Sequence, residues 1–199
     1  MHILLTGVSG RLGSHTLKYL LLRGHTITAL DIAPLPPHVL ASLSTLTPEQ
    51  HGNYTNITCD LTDYKAFEQI MRDRKPEAVI HLGAIPDPLT LDPRVVHNNN
   101  VTGTYNVLQT AAALGISRIV QASSVNAMGL SYTPDEHRRL MQMPVTETHP
   151  VLPVSTATPS FNICGTLPRL CCTSSALLAS VTGPAFNASS TFRSLRTQP

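Results

Sequence analysis

The chain has 199 residues, of which 42% are hydrophobic and 13% charged, and its formal net charge is +2. This length supports one domain with a sizeable core, and the lack of any basic run argues against nucleic acid or an anionic membrane as a partner. No apolar run approaches the ~20 residues that cross a bilayer, there is no secretory-signal pattern, and His and Cys do not occur at metal-ligand spacing. We therefore expect a cytoplasmic protein with no metal site.

Strand-like and helical segments alternate along the first three quarters of the chain. The strand-like runs are continuously apolar, which is typical of parallel strands covered by helices on both faces. The first helix has a stripe through Leu12, Thr16, Leu20 and Arg23, and its apolar side is widened by Leu17 and Leu21. Between residues 33 and 52 we expect a Pro-rich connection with a helical turn near 39–43. The predicted strands are 3–6, 26–31, 55–60, 78–82 and 119–123, and the predicted helices are 11–23, 63–72 and 93–114.

Three glycines spaced three apart, Gly7, Gly10 and Gly13, join the first predicted strand to the first predicted helix. Gly7 allows a tight turn, Gly10 allows close approach of a diphosphate to the backbone, and Gly13 allows close packing of the helix on the sheet. The helix N-terminus then offers unpaired N–H groups and a partial positive charge to the phosphates. A plain turn is the alternative, but the strand–glycines–helix context favours a dinucleotide site.

Asp31 ends the second predicted strand, where a carboxylate can accept hydrogen bonds from both hydroxyls of an adenosine ribose. The same charge would repel a 2′-phosphate, so NAD is favoured over NADP. Arg11 is a residue type that can help to bind that phosphate, and Asp31 could also be a solvated strand end.

Five motifs follow one another along the chain: Thr6-Gly7-x-x-Gly10-x-x-Gly13, CDLTD at 59–63, HLGAIP at 81–86, NNVTGTYNVL at 99–108 and VQASSVNAMG at 120–129. Their order resembles the extended short-chain dehydrogenases/reductases, the NAD-dependent epimerase/dehydratase family. The resemblance covers residues 1 to 153 and implies a Rossmann fold, a doubly wound parallel sheet of strand order 3-2-1-4-5 with an incomplete carboxyl-terminal portion.

The resemblance also implies site residues. Ser124 matches the catalytic hydroxyl, Ser123 would approach the nicotinamide, and Asp60 and Leu61 would flank the adenine. Both serines could instead simply end a strand, and Asn100 could satisfy a buried backbone group. The residues expected to bind the cofactor are Gly7, Ser9, Gly10, Arg11, Leu12, Gly13, Asp31, Asp60, Leu61, Leu82, Gly83, Ala84, Asn100 and Ser123.

The proton-transfer pair of this family, Tyr-x-x-x-Lys, is missing. The lead-in PVTETHPVLPVS at 144–155 is similar to the family, but the expected Tyr does not follow it. The last Lys is Lys75, and the last Tyr, Tyr132, has Glu136 four residues later. Because the Tyr takes the substrate proton and the Lys lowers its pKa, we expect impaired catalysis.

Composition changes near the same point. All twelve acidic residues lie at or before Glu147, and beyond residue 150 only Arg169, Arg193 and Arg196 are charged. We therefore divide the chain into an NAD(P)-binding domain, 1–153, and an irregular Ser/Thr-rich tail, 154–199, with one short helix near 174–181. A frameshift, a retained intron or a wrong gene model would each produce such a tail.

Two classes of function remain open. The chain is predicted to be the NAD-binding domain of an epimerase/dehydratase-type oxidoreductase acting on a nucleotide sugar or a similar small molecule, with the possibility of a homodimer. The alternative is a non-catalytic NAD-binding regulatory module, or an unstable fragment whose fifth strand lacks a neighbour at the sheet edge.

Overall fold

A single twisted sheet organises the chain. The computed structural model describes residues 1–86 and 91–122 and the backbone of 178–181. The sheet has the order β3-β2-β1-β4-β5-β6, and β1 to β5 are mutually parallel. Its strands are β1 His2–Thr6, β2 Thr26–Asp31, β3 Tyr54–Thr58, β4 Ala78–His81, β5 Ile119–Ala122 and β6 Leu178–Val181.

The predicted order 3-2-1-4-5 and the parallel direction of those strands are confirmed. The short helix expected near 174–181 is wrong, because residues 178–181 form β6, which pairs antiparallel with β5, with Ala122 opposite Leu178. The β5 edge, which we expected to be open, therefore has a neighbour. Ser123, Ser124 and the boundary near residue 153 lie outside the described residues.

Six α-helices and one π-helix connect these strands within the described ranges. The Pro-rich connection contains two short helices instead of the single expected turn, and the second begins with a capping box between Thr47 and Gln50. The helices are α1 Arg11–Leu22, α2 Pro37–Leu43, α3 Pro48–Gly52, α4 Tyr64–Arg74, α5 Pro93–His97, the π-helix Asn98–Thr102 and α6 Gly103–Ala113.

Helices cover both faces of the sheet, and each face has its own apolar cluster. On one face α1 and the Pro-rich connection pack on β1 and β2, and on the other α4 and α6 pack on β1, β4 and β5. The buried side of α1 is formed by Gly13, Leu17, Leu20 and Leu21. Leu17, Leu20 and Leu21, which we expected on the apolar side, are buried, whereas Leu12 is 49% exposed.

The helix predicted over 93–114 is interrupted. The π-helix lies between α5 and α6, and its Asn100 is buried. Such one-turn interruptions occur frequently at functional sites. This one lies beside the carboxyl ends of the strands.

Candidate functional site

One cavity lies at the carboxyl ends of β1 to β4. Its volume is about 330 Å³, and it lies where the sheet order turns from β2-β1 to β4, the position where open α/β sheets bind ligands. It is lined by Gly7, Ser9, Gly10, Leu30, Asp31, Ile32, Cys59, Leu61, Leu82, Gly83, Ala84, Ile85 and Asn99.

The glycines of the first loop allow two close backbone approaches. Gly7 has a φ of 75°, and a Cβ there would lie 2.6 Å from the backbone N of Gly83 and the carbonyl carbon of Leu82. A Cβ on Gly13 would overlap the carbonyl oxygen of Gly7. Neither position can hold a side chain without moving backbone, so the loop between β1 and α1 lies directly against the end of β4 and against its own helix.

The N-terminus of α1 has no cap of its own. Its N-cap residue is Gly10, and its first turn carries no acidic side chain. The N–H groups of that first turn have no acceptor within the helix. Because Gly10 also lines the cavity, these donors and the helix dipole are available to an anion beside it.

Asp31 lies on the cavity wall at the end of β2. Its Oδ2 accepts a hydrogen bond from Ser9 N at 2.8 Å, and its Oδ1 accepts one from Ile32 N at 2.8 Å. These contacts fix the carboxylate against the glycine loop. Each oxygen keeps a lone pair for a further donor, so the group can still accept from a ligand hydroxyl.

The end of β4 is held by a buried chain of three polar side chains. Thr6 Oγ1 lies 2.7 Å from His81 Nδ1, and His81 Nε2 lies 2.9 Å from Thr104 Oγ1. Thr6 Oγ1 also accepts from Leu82 N and Gly83 N, both at 3.2 Å. Burial lowers the pKa of His81 to about 4, so its imidazole is neutral at pH 7.

Two asparagines hold the backbone of two residues on the cavity wall, Ile85 and Leu61. Asn100 Oδ1 accepts from Ile85 N at 2.8 Å, and its Nδ2 donates to Ile85 O at 3.0 Å. Asn106, on α6, donates through Nδ2 to Leu61 O at 2.8 Å. The backbone on which the cavity depends is therefore held by buried side chains, and Asn100 satisfies buried backbone groups as one alternative proposed.

The end of β3 supplies a mainly apolar wall. Cys59 and Leu61 line the cavity, while Asp60 is exposed and its Oδ1 accepts from the Thr62 N and hydroxyl, both at 2.8 Å. Burial raises the pKa of the Cys59 thiol, and the nearby Asp63 and Asp60 raise it further. The thiol is therefore protonated and unreactive at pH 7.

The structure brings many of the expected site residues together. Those on the cavity wall are Gly7, Ser9, Gly10, Asp31, Leu61, Leu82, Gly83 and Ala84. Five expected residues are not on the wall, namely Arg11, Leu12, Gly13, Asp60 and Asn100. The described residues do not include Ser123 and Ser124. Sequence reasoning missed Leu30, Ile32, Cys59, Ile85 and Asn99. Each is an immediate neighbour of an expected residue: Asn99 precedes Asn100, and the other four lie at strand ends, so this adjacency was the available signal.

The family comparison agrees with this geometry. The model of the NAD dependent epimerase/dehydratase family matches residues 3–156. The chain belongs to this family. It is 30% identical to UDP-glucose 4-epimerase of Bacillus subtilis over 155 residues, which cover 76% of this chain and 42% of that relative. It is 32% identical to UDP-glucose 4-epimerase of Klebsiella pneumoniae over 133 residues, which cover 65% of this chain and 93% of that relative.

Two solved structures of NAD-bound enzymes share the fold. The Bordetella bronchiseptica enzyme WbmH in complex with NAD+ superposes with a TM-score of 0.62 at 27% identity, over 77% of this chain and 46% of that one. The WbmG enzyme of the same organism, in complex with NAD and UDP, gives a TM-score of 0.62 at 27% identity, over 81% and 45%. The chain thus spans less than half the length of these enzymes and of the Bacillus relative.

Two further observations concern the described residues only. None of their helices combines the length and the apolar character needed to cross a membrane. No three His, Cys, Asp or Glu side chains among them are grouped to hold a metal ion.

Proposed function

We propose that this epimerase/dehydratase family member binds NAD through its adenosine and diphosphate in the cavity at the carboxyl ends of β1 to β4. The observation that carries the proposal is the glycine loop, because a Cβ at Gly7 or Gly13 would collide with backbone. That loop leaves the first-turn donors of α1 uncapped beside the cavity, as a diphosphate requires.

The other walls also fit a dinucleotide. Asp31 has lone pairs for ribose hydroxyls and repels a 2′-phosphate, which supports NAD over NADP. Ile32, Cys59 and Leu61 offer apolar contacts to a base. Bound NAD would supply a hydride acceptor, while the residues of this chain bind and orient it.

Calorimetric titration with NAD and with NADP tests this proposal. We expect NAD to bind more tightly than NADP, and we expect Asp31→Asn to reduce that preference about tenfold through loss of one charged acceptor. Asp73→Asn is the matched control, because Asp73 lies on α4, is not on the cavity wall and accepts only from Gln69 Nε2. No heat with either coenzyme on a folded sample contradicts the proposal.

For the substrate, we propose a nucleotide sugar, supported by relatives that are UDP-glucose 4-epimerases and by a neighbour solved with NAD and UDP.

We propose weak or absent turnover, since no Tyr is followed four residues later by Lys. This observation also supports the second candidate, a non-catalytic NAD-binding regulatory module. The expected cytoplasmic location and homodimer remain predictions.

A further inference from the structure

We propose that His81 is a positioning residue of the cavity: its Nδ1 orients the Thr6 hydroxyl, and this hydroxyl holds the Leu82–Gly83 backbone that forms one wall. His81 does not line the cavity, whereas Leu82 and Gly83 do. The inference reaches beyond NAD binding, and only its effect on affinity rests on the proposed function.

The hydrogen-bond inventory fixes the tautomer. Thr6 Oγ1 has one proton and two lone pairs, and it accepts from the N–H groups of Leu82 and Gly83. Its proton is then left for His81 Nδ1 at 2.7 Å. His81 therefore accepts through Nδ1 and donates through Nε2 to Thr104 Oγ1 at 2.9 Å.

The imidazole sets the direction of the hydroxyl. With Nδ1 as the acceptor, the Thr6 O–H points at the ring and its lone pairs face the two amides. Without that acceptor the O–H must rotate towards another group. The Gly83 N–H then loses its acceptor, whereas the Leu82 N–H keeps the Thr6 carbonyl oxygen at 3.3 Å. Gly83 is sensitive to such a shift, because its backbone packs on Gly7, where even a Cβ would not fit.

Within residues 1–86 and 91–122, no charged side chain contacts His81. It is 3% exposed, and its polar neighbours are Thr6 from β1, Thr104 from α6 and, by strand register, Gln121 from β5. Two other titratable residues lie on these elements. His2, at the start of β1, contacts Thr28 of β2, and Tyr105 of α6 is exposed. The neutral form is thus maintained by burial alone.

Two substitutions separate the hydrogen bond of His81 to Thr6 from its hydrogen bond to Thr104. His81→Asn can place Oδ1 where Nδ1 accepts from Thr6, but it cannot reach Thr104. His81→Gln can reach Thr104 with its terminal amide, but it loses the acceptor for Thr6. Both remove the ring, so they lose similar packing and serve as controls for each other.

The test measures NAD affinity by calorimetry and exchange of the Leu82 and Gly83 amide protons by NMR in the full chain. We expect His81→Asn to stay within about threefold of the wild type, and His81→Gln to bind NAD about tenfold more weakly and to exchange the Gly83 amide at least tenfold faster. The Leu82 amide, which also donates to the Thr6 carbonyl oxygen, should change less. Equal affinities and equal exchange in the two variants would overturn the inference, since a purely structural histidine would not distinguish them.

The amide measurement keeps this outcome separate from the proposed function. If the wild type bound no NAD, the proposed function would fail, and the exchange of Leu82 and Gly83 would still decide the role of His81. If either variant did not fold by circular dichroism, Thr6→Val would replace it. This substitution removes the hydroxyl that His81 is proposed to orient, and unchanged exchange at the Gly83 amide would overturn the inference.

Discussion

Two buried threonines of α6 differ in one respect, their hydrogen bonds. Thr104 Oγ1 is paired with His81 Nε2, whereas Thr110 Oγ1 has no partner among the described residues, although both side chains are almost fully buried. A buried hydroxyl without a partner costs free energy, and an isosteric apolar group removes that cost. The same Thr→Val substitution should therefore act in opposite directions at the two positions.

We expect Thr110→Val to raise the free energy of unfolding by about 1 kcal/mol and Thr104→Val to lower it by about 1–2 kcal/mol, because the latter leaves a buried N–H without an acceptor. Urea denaturation followed by circular dichroism measures both. Each variant controls for the other, since both lie on one helix. A loss of stability in Thr110→Val would contradict the prediction.

His81 also makes stability depend on pH. Its pKa is about 4 in the folded protein and 6.5 in the unfolded chain, so the unfolded state binds the proton more readily. Its contribution is fully present above pH 6.5 and is lost as the pH falls towards 4, by up to about 3 kcal/mol.

Urea denaturation at intervals from pH 7 to pH 4 tests this dependence, with His81→Asn as the comparison. We expect the wild type to lose stability more steeply than the variant across this window. The difference between the two curves isolates His81, because the remaining titrating groups are common to both proteins. Parallel curves would mean that His81 is not buried as a neutral imidazole.

At the scale of elements, the β1–α1 turn depends on the absence of one methyl group. In Gly13→Ala the new Cβ would overlap the Gly7 carbonyl oxygen, which is backbone and cannot rotate away. We expect a loss of about 1–3 kcal/mol in unfolding free energy, together with weaker NAD binding. Thermal unfolding and calorimetry measure the two effects.

Gly52→Ala, at the end of α3, is the control. A Cβ there meets no atom within 4 Å, so we expect this substitution to be neutral or to stabilise by up to about 1 kcal/mol. Equal thermal stability of Gly13→Ala and the wild type would contradict the packing of α1 against the loop.

The elements that local pattern specifies were predictable. Apolar runs and the glycine spacing predicted β1 to β5 and the part of the cavity wall formed by Gly7, Gly10 and Asp31, and the resemblance to the family implied the strand order. The π-helix was not predictable, because it accompanies hydrogen bonds to a distant part of the chain: Asn100 pairs with the backbone of Ile85, 15 residues away. Periodicity within 93–114 contains no information about that distant partner.

Strand β6 and the histidine network were missed for related reasons. A four-residue strand with few neighbours has almost no periodic signal, and its position depends on the exposed edge of β5. His81 was read only as part of a motif, since the burial and tautomer of an imidazole depend on groups from three elements. Tertiary contacts decide both features.

At the scale of the whole molecule, binding and catalysis should separate. The described fold contains the cavity, but the sequence has no Tyr-x-x-x-Lys to take up a proton. Losing a general base costs about 10²–10⁴-fold in rate. We therefore expect the purified chain to bind NAD and to show no measurable conversion of UDP-glucose.

Chromatography of UDP-glucose incubated with NAD and the protein measures conversion. The same preparation must first show NAD binding by calorimetry, so that inactivity cannot result from misfolding. Accumulation of an epimer above the level of a no-protein control would contradict the prediction and would require another proton acceptor in the chain.

The Gly7 carbonyl has an electrostatic consequence for the whole cavity. It accepts the Gly10 N–H at 3.1 Å and lies where a Gly13 side chain would be. The negative end of this peptide dipole is therefore turned into the protein, under the start of α1. A diphosphate bound at this loop would therefore face amide hydrogens and would not be repelled by the Gly7 oxygen. The peptide dipoles of the turn already have this orientation without a ligand.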